Sequence, residues 1–124
     1  MANTSDKMQY RAALVSILAK YAKNSKAKPS EINKDIEELK KIPDKDFIAK
    51  VFLKEILNEN ADYANICAIF LMETVENSVF EKNAYTFLKD DKIPDKKKFF
   101  VISLLKQKGI HFDYDKISKY IKSP

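Results

Sequence analysis

Residues 62–75 read DYANICAIFLMETV, and whether this stretch is a strand or a helix decides the fold. Its centre, Ile66 to Met72, is apolar at every position, so periodicity alone cannot separate a buried strand from a buried helix. Length and composition separate them. The stretch is too long for a typical strand, Ala64 and Ala68 favour a helix, and Asp62 can cap its start. An all-round apolar helix needs neighbours on every side. Ile69 is therefore expected inside, where Asp would be buried without a partner and would prevent folding.

Outward from this centre the chain breaks into further helix-length blocks. Phe47, Ile48, Val51, Phe52, Ile56 and Leu57 form one broad apolar face after Ile42-Pro43-Asp44, where the proline stops the preceding helix and Asp44 can cap the next. Before it, Pro29 fits a first helical turn, with Ile32, Ile36 and Leu39 following on one face. The first block, capped by Ser5 or Asp6, carries Tyr10, Leu14, Ile17, Leu18 and Tyr21 at helical spacing.

On the other side, Ser78 and Glu81 have the spacing of a capping box, ahead of Phe80, Ala84, Phe87 and Leu88. A second Ile-Pro-Asp, at 93–95, opens a block with Phe99, Phe100, Ile102, Leu104 and Leu105, and Gly109 is placed for a left-handed helix end. Asp113 can cap a seventh block with Ile117, Tyr120 and Ile121 inward. Alternate block starts fall 33 to 38 residues apart, a helical-hairpin register. The twin phrases Lys41-Ile42-Pro43-Asp44-Lys45 and Lys92-Ile93-Pro94-Asp95-Lys96 lie 51 residues apart and conflict with that register. They read as reuse of one helix-start chemistry, with a three-helix duplication as the alternative.

Composition narrows the function. At 124 residues and 45% hydrophobic content the chain suits one globular domain, expected over 6–122 with a flexible N-terminus at 1–5. The net charge of +5 comes from a mixed surface of 23 basic and 18 acidic residues, with Arg11 the single arginine. Reading bases or clasping phosphates favours the guanidinium fork, so nucleic-acid binding is disfavoured. Cys67 is the only cysteine and His111 the only histidine, which excludes an intrachain disulfide or a Cys/His metal cage. No apolar run is long enough to span a bilayer, and 1–6 lack the pattern of a secretion signal, so a cytoplasmic protein is expected.

Catalytic chemistry is hard to place. Cys67 lies in the most apolar block, where a thiol stays protonated, and the pairs Glu37-Glu38 and Asp90-Asp91 sit in polar surroundings, whereas acid/base work needs one carboxyl desolvated. No phosphate-cradling glycine loop or nucleophile elbow is present. The expectation is a non-enzyme with no cofactor and no metal.

Two surfaces are candidates for binding. Lys96, Lys97 and Lys98 put three cations at the start of a helix, against its dipole, which reads as a solvated face or as a patch for an acidic partner or phosphate. Met8, Ala12, Val15, Ala19 and Ala22 form a second apolar stripe on the first helix, either wrapped by the chain itself or the interface of a twofold homodimer.

The blocks from Phe47 to Leu57, Asp62 to Val75, Phe80 to Leu88 and Phe99 to Leu105 resemble the hairpins of HEAT-like and armadillo-like repeat proteins, with Asp62 and Asp95 where such hairpins place a turn aspartate. The Val-Arg pair common in their second helices is absent. The resemblance implies an all-α, right-handed α-α superhelix of about three helical hairpins plus a last helix, whose concave face binds another macromolecule. A closed orthogonal helical bundle is the structural alternative. The expected function is a protein-protein interaction module, and the alternative is a small nucleic-acid-associated protein using the lysine patch on phosphates.

Overall fold

The computed structural model describes residues 4–111 and 115, and the seventh block expected from Asp113, with Ile117, Tyr120 and Ile121, lies outside them. The described residues are all-α: six helices, α1 (Thr4–Lys23), α2 (Pro29–Lys40), α3 (Lys45–Glu55), α4 (Ala61–Thr74), α5 (Asn77–Lys89) and α6 (Asp95–Gln107), and no strand. Their contacts divide the chain into two compact units, Met1–Pro43 and Asp44–Pro124.

In the first unit, α1 buries Leu14, Ile17 and Tyr21, as its stripe predicts, with Tyr10 and Leu18 half-covered. The helix starts at Thr4, so Ser5 and Asp6 fall within its first turn instead of preceding it, a difference within the usual fraying of a helix end. Pro29 stands in the first turn of α2, where its missing N–H has no intrahelical partner to lose. Ile36, Leu39 and Ile42 are buried, and so is Asp35. The Tyr21 hydroxyl donates to Asp35 Oδ2 at 2.5 Å, and Lys20 Nζ lies 2.5 Å from the same oxygen. Burial, then the carboxylate beside it, raises the Tyr21 phenol above its ordinary range, so it remains a donor.

In the second unit α3 is flanked by α4 and α5, and α6 packs on α5. The Phe52 and Phe70 rings meet at 5.7 Å between centroids, tilted by 35°, joining α3 to α4. Phe80, Ala84, Phe87 and Leu88 of α5 are all buried, as expected. α4 packs chiefly on α3 and is not enclosed. Ala61, Asn65, Ile69 and Glu73 recur every fourth residue along one outward strip, and Ile69 is 36% exposed, which corrects the expectation that it is buried.

α6 shows a shift of phase. Val101, Ile102 and Leu105 face inward, and one turn earlier the same stripe holds Lys98, which is 2% exposed, while Phe99 turns outward at 49%. At about 100° per residue, Phe99 and Phe100 fall on either side of that stripe and well away from its middle, so neither reaches the inner face.

The caps divide along similar lines. Asp44 accepts from Phe47 N at 3.0 Å and starts α3, as predicted. α4 is capped by Asn60, not Asp62: Asn58 Oδ1 accepts from Asn60 N at 2.8 Å and closes the turn early, so Asn60 Oδ1 receives Asp62 N and Tyr63 N. α5 begins at Asn77 with no side-chain cap: Glu76, not a favoured capping residue, holds the cap position, and Ser78 is already inside the first turn. Gly109, at φ 74°, follows α6 in the left-handed region as expected.

Candidate functional site

The second unit carries a furrow between α3 and α5. Asn83 Nδ2, buried on α5, donates to Asp46 Oδ1 of α3 at 2.9 Å and to Val79 O at 2.9 Å, pinning the two helices. Lys50 adds an ion pair to Asp46 at 2.8 Å and Lys82 a longer one at 3.7 Å. The Lys50 contact, then the Asn83 hydrogen bond, lowers the Asp46 carboxyl to about 2.

Toward the C-terminal ends of these helices the surface opens into a hollow of about 340 Å³. Leu53, Leu57, Phe87 and Ile93 supply its apolar lining, and Lys50, Lys54, Thr86 and Asp90 its polar one. Leu57 lies just beyond α3 and is 37% exposed, so a large aliphatic side chain is left open to water here. A second hollow of about 540 Å³ adjoins the first, sharing Leu57, Asp90 and Ile93 and adding Glu59, Lys92, Lys96 and Lys97. A third, smaller one shares Lys96 and Lys97 and reaches Phe100.

Positive charge predominates along this path: beyond Lys50, which Asp46 pairs, Lys54, Lys92, Lys96 and Lys97 stand against Asp90 and Glu59. Asp90 is partly engaged, its Oδ1 accepting from Lys92 N at 2.9 Å. Lys97 Nζ donates to Asn58 O at 3.0 Å; burial, then the charge of Lys96 beside it, lowers its pKa. Lys54, Lys92 and Lys96 form no ion pair among the described residues.

The three lysines expected to act as one patch are separated. Lys96 is exposed and Lys97 half-buried in the furrow, but Lys98 is drawn into the inner face of α6 by the phase of Val101, Ile102 and Leu105. On α1, Met8, Ala12, Val15, Ala19 and Ala22 are all exposed, Val15 by 63%.

Cys67 is buried, its thiol pushed up to about 12 by burial first, and it has no setting for nucleophilic chemistry. Near it, Tyr63 donates its hydroxyl to Glu55 Oε1 at 2.6 Å, tying α4 to α3. Glu37 and Glu38 are exposed and pair with Lys40 and Lys41 at 3.4 and 3.1 Å, ordinary surface contacts worth about 0–1 kcal/mol each. Asp90, Asp91 and His111 are exposed. Among the described residues no group of three or more His, Cys, Asp or Glu side chains is placed to hold a metal ion, and no helix is long and apolar enough to cross a membrane.

The sequence did not mark the furrow. Leu57 reads as the last residue of the inward α3 face and Ile93 as part of a helix-start phrase; only the side-by-side placement of α3 and α5 makes them one surface. Comparison of the chain with protein-family models, curated proteins and solved structures finds no match. The described helices give no evidence for HEAT-like or armadillo-like repeats.

Proposed function

We propose that this chain is a non-enzymatic protein-binding module whose partner seats in the α3–α5 furrow. The observation that carries the reading is the exposed Leu57 beside Leu53, Phe87 and Ile93, an apolar surface edged by polar and charged side chains. Interfaces combine a dehydrated apolar centre with a polar rim in this way. The test is capture from native lysate with the parent and with Leu57→Asp as paired baits. Proteins retained by the parent and lost from the variant support the furrow; identical captures from both remove it.

A second reading, phosphate binding to nucleic acid, draws on Lys92, Lys96 and Lys97. It predicts affinity that falls steeply with salt. The exposed stripe at Met8, Ala12, Val15, Ala19 and Ala22 additionally suits a second copy of the chain. Sedimentation decides that point: Val15→Glu should convert a dimeric parent to a monomer, and a parent already monomeric at high concentration excludes it.

A further inference from the structure

We infer that the occupant of the furrow is an acidic peptide segment of a partner protein, with bulky apolar side chains set among Asp or Glu. The inference rests on the protein-binding reading and specifies its chemistry. Two properties of the surface converge on it. Leu57 and the half-buried Ile93, over a floor of the buried Leu53 and Phe87, offer apolar contact that only an apolar side chain would repay. Around them stand Lys50 and Lys54, one helical turn apart on α3, and Lys92, Lys96 and Lys97 at the α6 end.

Lys54, Lys92 and Lys96 lack a carboxylate partner among the described residues, so their charge is available to an incoming acid. The surroundings oppose a basic ligand: Lys50 is already paired with Asp46, and Lys54, Lys92, Lys96 and Lys97 still outnumber Glu59 and Asp90. They also oppose a nucleic-acid strand. Most of the apolar lining is aliphatic and offers few faces for base stacking. The only arginine, Arg11, is on α1, outside the furrow. Two carboxylates along the path would meet a phosphate backbone unfavourably, whereas a peptide can leave uncharged residues opposite them.

The probe is a random dodecapeptide phage library selected on the full chain, followed by affinity measurement on synthetic copies of the enriched peptides. Enriched sequences should pair Leu, Ile or Phe with Asp or Glu. Their binding should weaken roughly tenfold in the Lys54→Glu, Lys92→Glu, Lys96→Glu triple variant, the sum of three exposed ion pairs. Leu57→Asn should weaken it by a similar factor, roughly tenfold, through lost apolar burial, with little change in salt dependence. All these sites are exposed, so the variants should keep the parent's cooperative melting, and that check accompanies each measurement.

Enrichment of basic or uncharged peptides overturns the inference. So does failure to enrich any peptide, or stronger binding of single-stranded DNA at the same lysines. Acidic peptides that bind equally to the parent and to both variants also overturn it, yet leave a protein-binding module whose contact surface lies elsewhere.

Discussion

The same five residues, Lys-Ile-Pro-Asp-Lys, introduce α3 and α6, and the two copies fold differently. At 41–45, Ile42 is buried and Asp44 stands outside the helix as its cap, accepting from Phe47 N. At 92–96, Ile93 is half-exposed in the furrow, Pro94 takes the cap position without a side-chain bond, and Asp95 is the first helical residue. The next residue along differs in the sign of its charge. Asp46 comes after the first copy and Lys97 after the second. The proline and aspartate determine that a helix begins there, while the surroundings determine which residue caps it and whether its isoleucine serves the core or the surface.

The largest effect should separate the isoleucines. Ile42→Ala removes a fully packed side chain and should cost about 2–5 kcal/mol in urea unfolding, whereas Ile93→Ala should cost about 1 kcal/mol or less while weakening the furrow's peptide ligands. Equal costs would erase the distinction between the two copies. Next comes the cap: Asp44→Ala should lose about 1 kcal/mol, most of it recovered in Asp44→Asn, since Asn caps as well as Asp.

Titration distinguishes the residues just after the two copies. Asp46, held near 2 against an ordinary 3.8, binds its proton more weakly in the folded chain, so its contribution is present above about pH 4 and is lost as pH falls toward 2. Asp46→Asn should flatten the urea midpoint across that acid window. Lys97 is also lowered, but as a cation it is destabilised by folding, so its penalty eases as pH rises toward 10.5. Lys97→Met should remove that alkaline gain. The smallest effect is expected at Ile69→Asp, which should fold and melt cooperatively within about 1 kcal/mol of the parent because the side chain is on the outward strip of α4; loss of the folded state would return α4 to full enclosure.

Helix content is legible in the sequence because period, proline and turn residues act locally. Pro29, Asp44 and Gly109 take the roles that this local chemistry predicts. The features that escape depend on residues far along the chain. A 3.6-residue period identifies a stripe but not its phase when apolar residues are contiguous, as in Phe99-Phe100-Val101-Ile102, so the pattern alone puts Lys98 outward and Phe99 inward. The Tyr21–Asp35 and Asn83–Asp46 bonds span 14 and 37 residues, and nothing in either local sequence names the partner. The furrow is less legible still, because its lining is drawn from ends of helices that look unremarkable one at a time.

One of these distant bonds bears on how the chain is made. Lys108, just past α6, donates its Nζ to Met72 O at 2.8 Å and Val75 O at 3.2 Å, supplying the cation that α4 lacks in its own last turn. The donor is translated 36 and 33 residues after its acceptors. Chain order thus lets α3 and α4 pair before Lys108 is available to secure the end of α4. The last seal on this hairpin therefore arrives only once the end of α6 has been made.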